Sequence, residues 1–586
     1  MTVLANLLRI ASVALSLALP LPALSQQAAD TVAPEAATTT APKATARAQR
    51  HMVAAANPVA ARAGLDVLRA GGSAADAVVA VQTVLSLVEP QSSGLGGGAF
   101  LVWYDAAAGK VTTFDGREMA PKAATGDLFL GTDGKPLNFF DAVVGGRSVG
   151  APGVVRLLEM VHGRYGKLGW ANLFDPAIRL ARDGFVVSPR LAALVADDAD
   201  KLGAQASTRD YLFPAGKPIA AGETLRNPPY AETLAAIARD GPDAFYKGPI
   251  ADGIVQAVRS HPTNPGLLSG EDLADYKAIE RPAVCAPYRG LQVCGMGPPS
   301  SGALAIGQML GMVEPFDLAT LGPDDPESWR ILGDATRLAF ADRERYVADA
   351  DFVSIPKGLL NADYLSTRSA LLRRPTALPQ DGVTSGDPPW DKAELRRDGV
   401  SLDVPSTTHF VVVDDAGNVA SVTSSIENGF GSRLMTGGFL LNNQLTDFSF
   451  APEEDGRAVA NRVEPGKRPR SSMSPTIILG DGKPVFALGS PGGSSIIPYV
   501  AKTIVALVDW KMDISQAIAL PHLTNRFGTY DLETGTSAVS LAKDLEALGY
   551  KTAAKEQNSG LQGVAITANG IEGGADPRRE GVAVGD

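Results

Sequence analysis

The hydrophobic positions of this chain follow helical spacing in some segments and strand spacing in others, which is typical of an α/β protein. Asn57 can cap one helix, and Ser73 can cap a second helix that reaches about residue 87. Apolar and β-branched runs over 99–104 and 111–114 flank a turn and predict a β-hairpin. The pattern therefore begins as two helices followed by a hairpin.

A polar, proline-containing stretch over 367–404 interrupts this pattern and predicts a long mobile loop. Regular spacing returns directly after the loop. The segments predicted there are strands at 407–413, 419–424, 476–479 and 485–488 and helices at 494–510 and 539–548.

Composition narrows the possible partners more than it narrows the fold. Hydrophobic residues make up 45% and charged residues 20% of the 586 residues, an ordinary globular balance that excludes a mainly disordered protein. The 53 Lys and Arg residues against 64 Asp and Glu residues give a net charge of −11. Because binding to a phosphate backbone requires a positive field, we expect no nucleic-acid partner.

The amino-terminal segment has the pattern of a targeting sequence. An apolar run over 10–21 follows Arg9 and ends at small residues, which predicts a cleaved signal peptide over 1–25 rather than a retained anchor. Residues 26–50 are rich in Ala, Thr and Pro and are predicted to be a flexible leader, with the folded part beginning near His51. No later segment has the roughly 20 apolar residues of a spanning helix, so we expect a periplasmic or secreted protein without a membrane span.

The two cysteines, Cys285 and Cys294, lie in a segment whose pattern predicts a second β-hairpin. If Arg289-Gly290 forms a two-residue turn, the cysteines fall opposite each other on neighbouring strands. Alternation then places Cys285 at a non-hydrogen-bonded position, where side chains approach most closely. A disulfide is geometrically reasonable there, and two buried thiols are the alternative because spacing does not prove pairing.

Thr407 is a candidate nucleophile, because the sequence shows neither a metal-binding pattern nor the usual serine motif of hydrolases. The five histidines never occur in metal-ligand spacing and two cysteines are too few for a closed zinc site, so we expect no metal and no cofactor. The G-x-S-x-G motif of many hydrolases is absent from the sequence. Cleavage before Thr407, which follows the polar loop, would leave a hydroxyl and an α-amine with a pKa of roughly 7.7 to 8.0 on one residue. Read from these residues alone, a β-branched strand start is the simpler interpretation of Thr407.

Longer motifs resemble those of the gamma-glutamyltransferase family, and they occur in family order over most of the chain from about residue 51. The segment Ser406-Thr407-Thr408-His409, followed by a run of valines, resembles the family's processing site. The resemblance implies an N-terminal-nucleophile hydrolase with a four-layer αββα core. The other similar blocks are Gly71-Gly72-Ser73-Ala74-Ala75-Asp76-Ala77, Pro90-Gln91-Ser92-Ser93-Gly94, Arg117-Glu118-Met119-Ala120-Pro121, Pro298-Pro299-Ser300-Ser301-Gly302, Leu441-Asn442-Asn443-Gln444, Arg468-Pro469-Arg470-Ser471-Ser472-Met473-Ser474-Pro475 and Gly489-Ser490-Pro491-Gly492-Gly493.

The resemblance also implies roles for single residues. Thr407 corresponds to both the self-cleavage residue and the nucleophile, which forms a γ-glutamyl ester that water or an amine acceptor releases. Gly492 and Gly493 correspond to the oxyanion donors, and they precede a predicted helix whose free N–H groups favour negative charge. The substrate-binding correspondences are Arg117, Ser471 and Ser472 for the α-carboxylate and Gln444 and Asp447 for the α-ammonium.

Two positions depart from the family pattern. Ser425 stands where the family usually has a Thr that supports the nucleophile, and it keeps the hydroxyl. Glu427 stands where an Asn usually helps to bind the α-amine, so it either strengthens the cation site or turns away into a structural ion pair. The segment 451–466 corresponds to the family's lid but contains no Tyr, Phe or Trp, which predicts a more open entrance.

The resemblance therefore implies a precursor that cuts itself into a large subunit, 51–406, and a small catalytic subunit, 407–586, which jointly form the sandwich. The expected activity is that of a γ-glutamyltransferase and glutathione hydrolase, with small γ-glutamyl donors and with water, amino acids or dipeptides as acceptors. A related acylase that removes glutaryl groups, as cephalosporin acylases do, is one alternative, and Asp447 argues against it. An uncleaved periplasmic amino-acid-binding protein is the other alternative.

Overall fold

The computed structural model describes residues 37, 42–380, 383–390, 397–399 and 406–586. The predicted signal peptide and most of the predicted leader lie outside these residues, as do parts of the predicted polar loop. Within the described ranges, no helix is both long enough and apolar enough to cross a membrane.

Fourteen strands of the described chain form two large sheets. In chain order they are β1 (Ala46–Ala48), β2 (Met52–Ala55), β3 (Gly98–Asp105), β4 (Lys110–Gly116), β5 (Ile279–Pro282), β6 (Val284–Tyr288), β7 (Leu291–Gly295), β8 (Thr408–Val413), β9 (Val419–Ser425), β10 (Thr476–Gly480), β11 (Lys483–Gly489), β12 (Gln562–Thr567), β13 (Gly570–Ala575) and β14 (Val582–Gly585).

Each sheet combines strands from both sides of residue 406. The first sheet has the order β1-β13-β12-β11-β10-β7-β6, and the second has the order β14-β2-β8-β9-β3-β4-β5. All neighbouring strands in both sheets are antiparallel. The edge strand β1 pairs only with a strand of the carboxyl-terminal part, and the edge strand β14 pairs only with β2 of the amino-terminal part.

Side-chain alternation along β8 explains why the two sheets stack face to face. Val411 and Val413 belong to an apolar cluster between the sheets, together with Ile477 of the first sheet. Phe410 and Val412 belong instead to the core between the second sheet and its helices. Because successive strand residues face opposite sides, a strand that is apolar on both faces is covered on both.

Helices cover the outer face of each sheet and complete a four-layer αββα sandwich, which confirms the predicted fold class. The first three helices below share a core with the second sheet, and the last four share a core with the first sheet. They are α1 (Pro58–Arg69), α2 (Ala74–Val88), α3 (Val154–Tyr165), α4 (Gly302–Val313), α5 (Pro326–Tyr346), α6 (Ile496–Val508) and α7 (Ile514–Ala519).

The predicted hairpin of the two cysteines is confirmed in its register and in its bond. Cys285 lies opposite Cys294, and the two form a disulfide. Arg289 and Gly290 make the turn with φ angles of 51° and 81°, as a type I′ turn between two antiparallel strands requires.

Some predicted boundaries differ from the observed ones. The sequence predicts that the folded part begins near His51, whereas β1 already pairs at residues 46–48 and thus lies inside the predicted leader. Ala46 and Ala48 pack on the cluster between the sheets while Arg47 is exposed, but a pattern of three residues, with alanine as its only apolar side chain, is too short to predict a strand without the pairing partner. The predicted helix at 494–510 begins at Ile496 after a 3₁₀ turn over Gly493–Ser495, and the one at 539–548 is reduced to Ala542–Ala547.

Candidate active site

One pocket brings together side chains from distant parts of the sequence. Ten of its lining residues are predicted site residues, and Met473 and Ile496 line it in addition. The ten are Arg117, Ser406, Thr407, Ser425, Glu427, Gln444, Asp447, Ser471, Ser472 and Gly493.

Thr407 lines this pocket next to Ser425 because of how β8 and β9 pair. Thr408 is opposite Ser424 in the ladder, which places Thr407 beside Ser425 at the open end of the two strands. The Thr407 Oγ1 atom contacts the carbonyl oxygen of Ser406 and lies 3.2 Å from the Ser425 Oγ. The hydroxyl of the candidate nucleophile is thus in contact with the carbonyl group of the peptide bond that precedes it.

The residue before Thr407 is also held in place. The Ser406 hydroxyl donates a hydrogen bond of 2.9 Å to the carbonyl oxygen of Gln91, and the Ser406 carbonyl oxygen accepts one of 3.3 Å from Ser425. Gln91 belongs to a predicted motif, but the sequence assigns no role to it. Both sides of the Ser406-Thr407 bond are buried and fixed by neighbours.

The turn between β11 and α6 supplies the candidate oxyanion donors. Gly492 and Gly493 adopt φ angles of 136° and 57°, which side chains other than hydrogen rarely allow. A Cβ atom on Gly492 would lie 2.9 Å from the ring of Tyr499, so the turn also packs too tightly for a side chain. Gly493 lines the pocket at the beginning of a 3₁₀ turn that leads into α6, and the first backbone N–H groups of such a turn have no carbonyl partner within it.

The residues predicted to hold opposite ends of a zwitterion are bonded to each other. Arg117 is fully buried and donates hydrogen bonds to the Asp447 carboxylate and to the carbonyl oxygens of Pro469 and Arg470. Gln444 donates a 2.7 Å hydrogen bond to the same Asp447 oxygen. Sequence motifs place these residues in one site but do not predict this direct contact, because it depends on side-chain rotamers.

The two serines of the pocket differ in their partners. The Ser472 Oγ accepts a 2.7 Å hydrogen bond from Arg343 of α5, a buried residue that sequence reasoning missed. The Ser471 Oγ accepts a 3.1 Å hydrogen bond from the backbone N–H of Met473. Each hydroxyl is thus oriented by a donor, and both lie in the wall of the pocket.

Glu427 lies in the wall of the pocket. Its backbone adopts a φ of 77°, and its N–H donates a 2.9 Å hydrogen bond to the Ser425 hydroxyl. Its carboxylate accepts a hydrogen bond from the Asn443 side chain. The backbone N–H of Glu427 therefore supports the hydroxyl beside Thr407, while its carboxylate is bonded to Asn443.

A second carboxyl group, that of Glu118, lies close to the Arg117 guanidinium. Glu118 is fully buried, with a carboxylate oxygen 3.7 Å from the guanidinium. Neither of its side-chain oxygens has a hydrogen-bond partner among the described residues. Burial raises the pKa of Glu118 to about 8, and the nearby positive charge of Arg117 offsets only part of this effect.

Metal binding has no support in the described part of the chain, where no group of His, Cys, Asp and Glu side chains could hold an ion. The arrangement instead combines a hydroxyl in contact with a carbonyl, an anion-binding turn and paired charges. Such a set suits acyl transfer from a zwitterionic substrate.

Comparison with known proteins points to the same chemistry. The family model for gamma-glutamyltranspeptidase matches residues 60–586. The chain is 37% identical over 547 residues to a glutathione hydrolase proenzyme of Bacillus subtilis and 37% identical over 549 residues to the one of Escherichia coli. Each of these alignments covers 91% of this chain and 91% of the relative.

A solved structure with the same overall architecture is the cephalosporin acylase from Bacillus halodurans. It superimposes with a TM-score of 0.80 at 25% sequence identity, over 94% of this chain and 99% of the acylase chain.

Proposed function

The chain belongs to the gamma-glutamyltranspeptidase family, and from this premise we propose that it is a glutathione hydrolase and γ-glutamyltransferase whose nucleophile is Thr407. The observation that carries the proposal is the contact between the Thr407 hydroxyl and the Ser406 carbonyl, in a pocket that also contains a paired Arg117 and Asp447.

Maturation is the first reaction of this pocket. The Thr407 Oγ adds to the Ser406 carbonyl carbon, and the peptide C–N bond breaks as its nitrogen takes up the proton that the hydroxyl gives up. The resulting ester between Ser406 and Thr407 is then hydrolysed by water. The products are a chain that ends at Ser406 and a chain that begins with the free α-amine of Thr407.

Turnover uses the same hydroxyl with the new amine as its base. The α-amine takes the Oγ proton as the oxygen bonds to the γ-carbonyl carbon of the donor, and it returns that proton to the leaving nitrogen when the C–N bond breaks. The backbone N–H groups at Gly492 and Gly493 stabilise the negative oxygen of the tetrahedral intermediate. Water or the amine of an amino acid or peptide then attacks the γ-glutamyl ester.

The charged residues of the pocket select the donor. The Arg117 guanidinium and the hydroxyls of Ser471 and Ser472 receive the α-carboxylate, while Asp447 and Gln444 receive the α-ammonium. Because Arg117 and Asp447 are already paired, a zwitterion can bind across them without leaving either charge unpaired. A glutaryl donor lacks the ammonium, so Asp447 favours γ-glutamyl donors over the substrates of a glutaryl acylase.

The proposal extends to the compartment and to the two chains. The disulfide between Cys285 and Cys294 suits an oxidising compartment, which supports a periplasmic or secreted location. The two products of cleavage would stay together, since both sheets contain strands from each side of the cut.

Replacing Thr407 tests the proposal. Thr407→Ala deletes the hydroxyl that both reactions need, so it should run as one intact band on a denaturing gel and should release no product from a γ-glutamyl anilide. Thr407→Ser should retain part of both activities.

The neighbouring residue provides a matched control. The Thr408 hydroxyl is buried and has no hydrogen-bond partner among the described residues, so Thr408→Val should mature and turn over nearly as the unchanged protein does. Two normal bands from the Thr407→Ala variant would contradict the assignment of the nucleophile.

A further inference from the structure

The turn that carries the proposed oxyanion donors packs against the ring of Tyr499. A Cβ atom added to Gly492 would lie 2.9 Å from Cε2 and 3.3 Å from Cδ2 of this ring, so the backbone of the turn comes very close to it. Tyr499 belongs to α6 and is 2% exposed. It is not among the residues that line the pocket, so we expect it to affect the reaction only through the turn.

Two consecutive glycines do not hold a turn by themselves. Glycine reaches many backbone conformations at similar free energy, and Gly492 and Gly493 have φ angles of 136° and 57°. A hydrogen bond of 3.1 Å from the Ser495 N–H to the Gly492 carbonyl oxygen fixes the end of the turn. The direction of the N–H groups therefore depends on what packs against the turn.

The Tyr499 ring is itself held by an imidazole. It packs against the ring of His522, with ring centroids 4.0 Å apart and an angle of 35° between the planes. The His522 Nε2 lies 2.7 Å from the Ser559 hydroxyl oxygen, and this hydroxyl donates a hydrogen bond to the Asp576 carboxylate. Because the single hydroxyl proton of Ser559 goes to Asp576, the shared proton on the other side belongs to the His522 Nε2. The hydrogen bonds from His522 to Ser559 and from Ser559 to Asp576 thus fix the imidazole against the Tyr499 ring.

The segment that holds the imidazole also contacts the turn directly. Gly560 follows Ser559 in the sequence, and a Cβ atom added to Gly560 would lie 2.7 Å from the ring of Pro491. Pro491 directly precedes Gly492. The turn is therefore supported at two points, by Gly560 at Pro491 and by the Tyr499 ring at Gly492.

The contact between the two rings does not depend on a charge. Burial and the negative charge of Glu533 raise the pKa of the Tyr499 phenol, so the hydroxyl keeps its proton. Burial and nearby positive charges, with Arg578 first among them, lower the pKa of His522 well below its usual range, so the imidazole is neutral. The support that Tyr499 gives to the turn is therefore a matter of shape.

We propose that the Tyr499 ring holds the turn at Gly492 and Gly493 in the conformation that binds the oxyanion, and that His522 fixes the ring in this position. Tyr499 is then a positioning residue, which acts through the backbone N–H groups of the turn and does not touch the substrate. The inference rests on the proposed function, because the turn binds an oxyanion only if Thr407 attacks a carbonyl group.

The expected effect is on the transition state. Loss of one oxyanion donor typically lowers kcat by about 10²- to 10³-fold. A turn that loses its support but keeps both donors should lose less, about tenfold. KM should change little, because the bound donor carries no negative oxygen before the hydroxyl attacks.

The test compares three variants in the two-chain form, with a γ-glutamyl anilide as the donor. Tyr499→Leu removes the ring and should lower kcat about tenfold with little change in KM. Tyr499→Phe keeps the ring and loses the 3.4 Å hydrogen bond from the hydroxyl to Gln557, so it should retain most of kcat. Tyr530→Leu is the control, because Tyr530 is an equally buried tyrosine that packs against Gly333 of α5 instead of the turn. This control should lower the Tm without lowering kcat.

Two inhibitors separate the oxyanion from the rest of the site. A boronate analogue of the donor forms a tetrahedral anion with the Thr407 hydroxyl, so its Ki should rise about tenfold in Tyr499→Leu. Norvaline has the α-carboxylate and the α-ammonium but no γ-carbonyl group, so its Ki should stay unchanged. Adding His522→Leu to Tyr499→Leu should lower kcat no further, because His522 acts only through the ring.

The outcomes separate this inference from the function on which it rests. An unchanged kcat in Tyr499→Leu, equal losses of kcat in Tyr499→Leu and Tyr530→Leu, or an equal rise of both Ki values would overturn the role of Tyr499 and leave the function intact. A further fall of kcat in the double variant would overturn the role of His522. If Tyr499→Leu does not mature, Tyr499→Met also removes the ring and carries the same expectations. If the unchanged protein matures but releases no product from the anilide, the proposed function itself fails.

Discussion

The carboxylate of Glu427 lies in the wall of the same pocket as Thr407, at the position whose role the sequence left open. If it faces the donor ammonium, Glu427→Gln should lower kcat/KM for a γ-glutamyl anilide by about tenfold, which corresponds to about 1.4 kcal/mol. The same substitution should hardly affect, or should even improve, cleavage of a glutaryl anilide, because that donor has no ammonium.

The comparison between the two donors is the internal control of this experiment. An equal loss with both donors would assign the Glu427 carboxylate a structural role through its bond with Asn443. In that case, Gln444 and Asp447 would hold the ammonium alone.

At the scale of single residues, sequence motifs predicted which side chains meet but not how they are paired. The resemblance placed Arg117 and Asp447 in one site, while their direct bond is set by rotamers and burial that no motif encodes. Arg343 could not be predicted, because an isolated arginine carries no spacing signal and its hydroxyl partner lies far away in sequence.

The turn from β11 into α6 carries Gly492 and Gly493, the proposed oxyanion donors. Gly492 has a φ of 136°, and an added Cβ would collide with the ring of Tyr499. Gly492→Ala should therefore displace the N–H groups of the turn and lower kcat by roughly ten- to a hundredfold, with little change in KM, because these groups bind the transition state more strongly than the substrate.

A glycine with similar backbone strain provides the control. Gly482 has a φ of 76° in the turn between β10 and β11, and no atom lies within 4 Å of a Cβ added there. Gly482→Ala should lower the Tm slightly and leave kcat unchanged. Equal kcat losses in the two variants, measured on the two-chain form, would mean that general instability rather than the oxyanion turn is responsible.

At the scale of elements, the strands with clear patterns were predicted well. Both hairpins, β3–β4 and β6–β7, occur where apolar and β-branched runs flank a turn. The strand β1 and the short 3₁₀ turns escaped prediction because tertiary contacts, rather than local preference, create them.

At the scale of the whole molecule, the buried carboxyl group of Glu118 makes the stability of the fold depend on pH. Burial raises the pKa of Glu118 from 4.5 to about 8. Between these values the unfolded chain releases the Glu118 proton and the folded chain keeps it, so the contribution of this group to the free energy of unfolding falls as the pH rises. A difference of one between the folded-state and unfolded-state pKa values corresponds to about 1.4 kcal/mol.

Glu118→Gln should remove this contribution to the pH dependence. The free energy of unfolding of the Glu118→Gln variant should fall less steeply than that of the unchanged protein between about pH 5 and pH 8. The difference between the two free energies should change by at least about 1 kcal/mol over this range. Thermal or urea unfolding at a series of pH values measures the difference. The exposed residue Glu453 provides the control, and parallel curves for Glu118→Gln and Glu453→Gln would contradict the prediction.

Both sheets contain strands from each side of residue 406, and this arrangement allows a chain end to lie in the interior of the protein. Chain termini are normally at the surface of a protein, whereas an amine base beside the Thr407 hydroxyl has to be in the interior. Strand ladders such as β2–β8 and β7–β10 join the two parts independently of the peptide bond at 406. The fold can therefore be completed before the chain is opened. The proposed cleavage before Thr407 would then create an amino terminus in the interior, where Thr407 is buried, a place that synthesis from one end of the chain to the other does not readily supply.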